Sequence, residues 1–502
     1  TMRKTFKVFL LVTIILSSCS KKEVIKLPIT TSSQKALEYY NRAMLSFEVG
    51  DGTETRTDLD SALALDPEFA MALEMYDSPD PVLIRKHREK AKSLFPKLTD
   101  AEKKRIGIRE SCRNGNMDQA LEHANWLINN HGEAYESYLW LGIVQSDRHE
   151  LDEAINSLKR AIELNPDCFD CNQTLMGHHI AAGTQVMLPE KKRDVKIGMK
   201  YGDELIRIRG DHGLPYHLKA NVYRQQGEFK KAKPLYEKSI QKRKGLSSEG
   251  TAYVVSGHNY MFGGDLKTAR ERYASAIKLV DDNPNSWFIL NLYLTYSYIF
   301  DNDYIGAIDN ISSVERQLDE RGFDEITLLQ RKGQASWQKM ICYAHSQMED
   351  EAYLALGQRT KLNKKRAELL KDENISRNIE TDEQFQTAWV NILFGKYETA
   401  KKNLEKLKNL QQAKNDPTAM YGYHGLAGMA HLMEGNYELA LENFNNGNET
   451  AIYFNYFKGL ALKAAGNEEE ANKIFSEIAT INFSNWNIAI VRRLAKKQQG
   501  QA

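Results

Sequence analysis

A unit of about 34 residues recurs along nearly the whole chain, and a period of that length leaves few options for the fold. In its clearest copy, which starts near Tyr135, residues Tyr138, Leu141, Gly142, Ala154, Leu158, Ala161 and Pro166 stand at unit positions 4, 7, 8, 20, 24, 27 and 32. A repeat this short cannot bury an apolar face alone, so each copy must stack on its neighbours. The product is an elongated body with a long lateral surface. Small residues at positions 8 and 20 fit the close crossing of two helices, where bulk would drive the backbones apart. Glycine at position 15 fits the turn after the first helix, because it tolerates positive φ.

The same marks recur before and after this copy. Ala43, Leu59, Ala62 and Pro67 outline a first unit from about Ala36, and Gly115 and Ala120 a weak second one. The unit from Phe169 carries an insertion over Thr184 to Asp194 before Gly198 resumes the pattern. Tyr216, Ala220, Gly227, Ala232 and Tyr236 mark the fifth, and Tyr253, Gly257, Gly264, Ala269 and Tyr273 the sixth. Tyr298, Ala307 and Ile311 outline a seventh. Gly395 and Ala400, then Gly428, Gly435 and Ala440, then Gly459, Gly466 and Ala471 restore the period near the end. Leu73 to Pro96, with Pro79 and Pro81, reads as an irregular insert. Residues 321–380 depart from the period, although Trp337, Tyr343, Ala352 and Leu356 suggest a helix pair. Its second helix runs on through the basic stretch Lys361, Lys364, Lys365 and Arg366, read as a solvated face. Asn485 to Gln498 reads as a last helix with Ile488, Ile490, Val491 and Leu494 on its apolar side, a solubilising cap.

This pattern resembles the tetratricopeptide repeat family over roughly residues 35 to 483. The resemblance implies an all-α, right-handed superhelical solenoid of about ten or eleven helix hairpins closed by a C-terminal capping helix. It would divide into an N-terminal solenoid over 35–320, an atypical helical segment over 321–380 and a C-terminal solenoid with its cap over 381–502. No run of alternating β-branched residues between turn signals argues for strands. Charged residues make up 27% of the chain with a formal net charge of +1, so no basic excess points to nucleic acid.

The first residues read differently. Arg3, Lys4 and Lys7 precede Val8 to Leu16, a stretch apolar except for Thr13 and too short to span a membrane. Leu16-Ser17-Ser18-Cys19 follows at once and resembles the lipobox of bacterial lipoproteins. That likeness implies a signal peptide over 1–18, cleavage before Cys19 and acylation of Cys19. Ser20 in place of an aspartate implies sorting to the outer membrane. Residues 19–34, with Lys21, Lys22, Pro28 and four consecutive hydroxyl residues from Thr30, read as the lipidated cysteine and a flexible tether.

No catalytic motif is present. There is no phosphate-cradling Gly-Lys-Ser or Gly-Lys-Thr, since Gly395-Lys396 is followed by Tyr397, and no His-Glu-x-x-His or Gly-x-Ser-x-Gly. The expectation is a non-enzymatic chain without cofactor or metal. Cys168, Cys171, His178 and His179 form the one cluster with ligand-like chemistry. Two helical turns separate Cys171 from His178, about 10 Å along the axis and too far for one ion. The cysteines read first as packing residues, then as a disulfide, and last as part of a metal set.

In tetratricopeptide hairpins the first helix lines the concave face through unit positions 2, 5, 9 and 12. Here these are Leu214, His217, Asn221 and Arg224, followed by Thr251, Val254, His258 and Met261. Arg224 offers bidentate bonds to a carboxylate or phosphate, and Met261 adaptable apolar contact. The resemblance and these residues predict a protein partner whose segment, carrying an acidic group, binds at His217, Asn221, Arg224, His258 and Met261. The set does not match the carboxylate clamp of chaperone-binding members. The overall expectation is a lipid-anchored interaction scaffold of the bacterial envelope. The alternative is a glycan-binding lipoprotein of an importer, with Leu73 to Pro96 and Thr184 to Asp194 as its candidate excursions.

Overall fold

The computed structural model describes residues 24–78, 81–180, 187–371, 373–413 and 418–500. The leader and Cys19 lie outside the described residues. Among those described there are 25 α-helices and no strand. They form twelve successive hairpins: α1 (Gln34–Glu48) with α2 (Gly52–Leu65), α3 (Ala70–Met75) with α4 (Pro81–Ser93), and α5 (Asp100–Arg113) with α6 (Met117–His131). Next come α7 (Tyr135–Asp147) with α8 (Leu151–Leu164), α9 (Phe169–His179) with α10 (Val195–Arg209), and α11 (Leu214–Gln225) with α12 (Phe229–Arg243). Then follow α13 (Glu249–Phe262) with α14 (Leu266–Leu279), α15 (Pro284–Phe300) with α16 (Tyr304–Gln317), and α17 (Glu325–His345) with α18 (Glu349–Leu370). The last pairs are α19 (Glu373–Leu393) with α20 (Tyr397–Gln412), α21 (Tyr421–Met433) with α22 (Tyr437–Asn445), and α23 (Ile452–Ala464) with α24 (Glu468–Thr480), before a single α25 (Trp486–Gln498). Each hairpin packs on the next, as an all-α repeat solenoid requires.

The repeat marks explain the hairpins. Ala154, Ala232, Ala269, Ala307, Ala400, Ala440 and Ala471, all at position 20, are fully buried. Opposite them, a Cβ added to Gly142 would stand 2.7 Å from the Leu158 side chain, and one on Gly257 2.7 Å from the Tyr273 ring. Gly428 faces Phe444 and Gly459 faces Phe475 in the same way. Position 8 is thus small because the position 24 side chain fills its space. The turn between the two helices takes positive φ at Gly227 (75°), Gly264 (91°) and Gly466 (86°). His149, Asn302 and Gln347 adopt the same left-handed turn without glycine. Side-chain caps fix several helix starts: Asp265 accepts from the Thr268 N–H, Asn283 from Ser286 and Asp324 from Thr327.

Three expectations change. The tether expected over residues 19–34 is not free from Leu27 onward. Leu27 is 3% exposed and packs with Ala101, Ile108 and Leu127, and its N–H donates to Glu136. The Thr30 N–H and hydroxyl both donate at 2.7 Å to the buried Glu102 carboxylate, which also caps α5 through Thr99. The Thr31 hydroxyl donates to Asp66 at 2.6 Å. A buried carboxylate needs donors, and the segment supplies them. The irregular insert of Leu73 to Pro96 belongs to a further hairpin, α3 with α4, because Ala70, Met71, Ala72 and Leu73 bury completely against Tyr40 and Phe69. The basic stretch of the atypical segment stays a solvated face, its exposed Lys364 and Lys365 paired to Glu383 and Glu325.

The third change concerns α25. It covers α24 as a cap would, but it also packs on α23 and reaches back to α15. Trp486 stands 5.7 Å, ring to ring, from each of Trp337, Trp389 and Tyr453. The Trp389 indole donates to the Tyr453 hydroxyl at 3.0 Å. Asn482 donates to the Arg224 carbonyl at 2.9 Å and accepts from Arg492 at 2.8 Å. At the other end, the turn between α1 and α2 inserts Val49 among Phe169, Met176, Ile180 and Leu205. Asp51 pairs with His212 at 2.9 Å and accepts from the Ser248 hydroxyl at 2.5 Å. Both ends of the chain therefore close onto the face lined by the first helices.

Gly459→Ala pushes a methyl into the Phe475 ring and is expected to destabilise the chain by about 1–3 kcal/mol, read by denaturant unfolding. Trp486→Ala empties the centre of the aromatic cluster. It is expected to cost roughly 3 kcal/mol and to open residues 481–500 to limited proteolysis at temperatures where the parent resists.

Candidate functional site

Three successive first helices, α11, α13 and α15, line a cavity of about 430 Å³. Asn221 and Arg224 enter it from α11, Thr251, Val254 and His258 from α13, and Ser286, Ile289, Leu290 and Tyr293 from α15. Ser247 closes one side from the loop before α13, and Phe483 and Ser484 close another from the segment before α25. The volume lies within the range of small-ligand sites.

The helical spacing that singled out these residues places them here. Positions four and three apart on α11 share a face, so Asn221 and Arg224 reach the same space. Arg224 is 7% exposed, and its Nε and Nη1 have no hydrogen-bond partner among the described residues. None of the residues lining the cavity is acidic. Asn221 Oδ1 is held by the Tyr236 hydroxyl at 2.7 Å, which turns its amide group into a fixed element of the wall. The His258 ring packs edge-on against Tyr293 at 5.0 Å and Tyr273 at 5.6 Å. Burial, with the Arg224 charge added, holds the His258 imidazole well below its ordinary range and therefore neutral.

Two of the five residues predicted for the groove stand elsewhere. His217 lies outside the cavity, with Nδ1 3.5 Å from Arg243 and its ring 6.4 Å from that of Tyr236. Burial, Arg243 and Arg224 together push it well below the ordinary histidine range. Met261 is 4% exposed, and its sulfur accepts from the Tyr273 hydroxyl at 3.7 Å. Position 12 of this hairpin turns into the core because the adjacent hairpin covers it. The pattern also had more to give. Ser286, Ile289 and Tyr293 repeat, one unit later, the positions of Thr251, Val254 and His258 and could have been found by the same spacing. Phe483 and Ser484 could not, because no local pattern says where a chain end returns.

The cysteine cluster does different work. Cys168 and Cys171 form a disulfide with Cα atoms 5.4 Å apart, at the N-terminus of α9. His178 Nε2 lies 3.0 Å from the Ser146 hydroxyl, and His179 Nδ1 accepts from the Asp194 N–H at 3.3 Å. Among the described residues no three His, Cys, Asp or Glu side chains converge as a metal set. A smaller cavity of about 140 Å³ adjoins the disulfide, lined by Met44, Glu48, Arg105, Tyr135, Trp140 and Asp170 among others. Burial, with Asp170 adding repulsion, lifts Glu48 to about 7, and burial lifts Asp170 to about 6.

The tetratricopeptide repeat family model matches residues 135–168 and 215–241, which are α7 with α8 and most of α11 with α12. The chain thus carries tetratricopeptide repeats there, within an all-α solenoid of stacked hairpins. A comparison with curated proteins gives no match.

A neutral buried imidazole has a measurable signature. The unfolded chain takes up protons at its histidines below about pH 6.5, whereas His217 and His258 resist protonation in the fold. Their contribution to stability is therefore full above pH 6.5 and lost as the pH falls. The ring resonances of these two histidines are expected to stay at their neutral positions between pH 7.5 and 5.5 in NMR spectra assigned with His217→Gln and His258→Gln.

Proposed function

We propose that this protein is a non-enzymatic interaction scaffold of the bacterial envelope, which captures a segment of a partner protein on the face lined by its first helices. The observation that carries the reading is the cavity bounded by Asn221, Arg224, His258 and Tyr293 on three consecutive tetratricopeptide-type hairpins. Tetratricopeptide repeats generally bind proteins, and a stacked array offers many side chains to one extended partner. Fold likeness alone names no partner. Asn221, Arg224 and His258 are the proposed contact residues, with His217 and Met261 supporting them from behind.

The acylated cysteine of the reading is Cys19. With Leu27 the first residue packed against the first hairpins, seven residues separate that cysteine from the folded body. Seven extended residues reach at most about 25 Å. A scaffold anchored in this way keeps its first hairpins near the membrane surface.

Two experiments test the reading. Cys19→Ala is expected to abolish labelling by a palmitate analogue and to move the protein from the membrane to the soluble fraction. Crosslinking of the tagged protein in its native membranes, read by mass spectrometry, is expected to recover one protein in near-stoichiometric yield. Recovery of no protein above background would overturn the scaffold.

A further inference from the structure

We infer that the cavity between α11, α13 and α15 is a binding site for a monoanionic carboxylate carried on a compact apolar body, with the segment Asn482–Ser484 as one wall of the site. The inference rests on the reading of this face as the ligand face and narrows it to one chemistry. Arg224 is more than nine-tenths buried, lines the cavity, and leaves two guanidinium nitrogens without a partner. A buried cation is costly unless a counter-ion and hydrogen bonds compensate it. The lining supplies neither, since none of its residues is acidic. A guanidinium with unused donors matches a carboxylate in charge and in hydrogen-bonding chemistry.

The remaining walls select what the anion is attached to. Val254, Val255, Ile289, Leu290 and Tyr293 give an apolar surface opposite the arginine. Ile289 remains 43% exposed and Phe483 60% exposed at the cavity's edge, unusual for side chains of that size. His258 is neutral, so Arg224 is the one full charge in the lining, which favours a monoanion over a doubly charged phosphate. The volume of about 430 Å³ admits an aromatic or short aliphatic acid, or the last few residues of a polypeptide.

The C-terminal segment makes the site conditional. Asn482 donates to the Arg224 carbonyl itself, at 2.9 Å, and holds Arg492 through its other end. Arg492 in turn lies over the Phe262 ring at 5.2 Å. Ser484 is buried, and its hydroxyl has no partner among the described residues. The segment is therefore pinned on both sides of Phe483, whose ring is free to cover an apolar ligand.

The test uses the full-length protein in detergent and two pairs of probes: 4-phenylbutyrate with its amide, and the peptide acetyl-Ala-Ala-Leu-Phe with a free or an amidated C-terminus. Calorimetric titration is expected to show at least one acid binding with Kd below about 1 mM and its amide about tenfold weaker or worse. Arg224→Met is expected to abolish that preference without lowering the melting temperature of the unliganded protein, and Arg224→Lys to retain part of the binding. Phe483→Ser is expected to weaken the acid several-fold. Binding of the phenylbutyrate pair alone identifies a free acid as the source, and binding of the peptide pair alone a polypeptide terminus. Equal binding of acid and amide, or no binding of either acid, overturns the inference. So does Arg224→Met that lowers the melting temperature and leaves acid affinity intact, because the arginine is then structural. A partner recovered by crosslinking whose capture survives Arg224→Met leaves the scaffold standing without this site. Acid binding with no partner recovered does the reverse.

Discussion

The close approach of two helices within each hairpin is the contact on which everything else here depends. Gly142 against Leu158, Gly257 against Tyr273, Gly428 against Phe444 and Gly459 against Phe475 are the same contact repeated along the chain. Each lets a large side chain of the second helix bury in the space left by a missing one on the first. Alanine at position 20 completes the fit, with no exposed surface in any of the copies named above. Packing at this density tolerates little change in volume. It also fixes the angle at which each hairpin presents its first helix, and so the spacing of the side chains that meet at the cavity.

A stack of such hairpins would by itself leave a long open groove. Here two parts of the chain close it. The turn holding Val49 and Asp51 enters from the N-terminal side, and the segment from Asn482 into α25 enters from the C-terminal side. Trp486 lies among Trp337, Trp389 and Tyr453, which come from three different hairpins, so the contact ties α17, α19 and α23 together. Burial in this cluster also carries His345 down to about 4, which keeps it neutral beside Tyr453. What remains is a partly open cavity bounded by side chains far apart in sequence.

The interior is electrostatically uneven for the same reason. Burial lowers Arg243 and Arg492 to about 10, and the buried Arg224 shares no ion pair with any described residue. Near the disulfide the imbalance reverses, with Glu48 and Asp170 raised by burial in the smaller cavity. Solvent would screen these charges on an open groove. Closure removes that screening and leaves each charge to be answered by a neighbour or by a ligand.

Much of this was legible in the residues. The period of small residues and turn glycines determined the all-α hairpins, because small residues at those intervals let two helices cross closely and glycine takes the positive φ of the turn between them. The spacing within α11 and α13 placed Asn221, Arg224 and His258 on one face, since helical geometry alone decides which residues are neighbours. His217 and Met261 share that spacing but do not line the cavity, and Met261 is covered by the adjacent hairpin. The local pattern also treated α25 as an outer cap and residues 27–33 as free, because an apolar stripe does not state what it will pack against. Those contacts join residues far apart in the chain, 72 positions between Thr30 and Glu102 and 258 between Asn482 and Arg224. Local sequence determined the repeating unit, and only the tertiary structure decided where the chain's two ends return, because that depends on the accumulated geometry of all the hairpins between them.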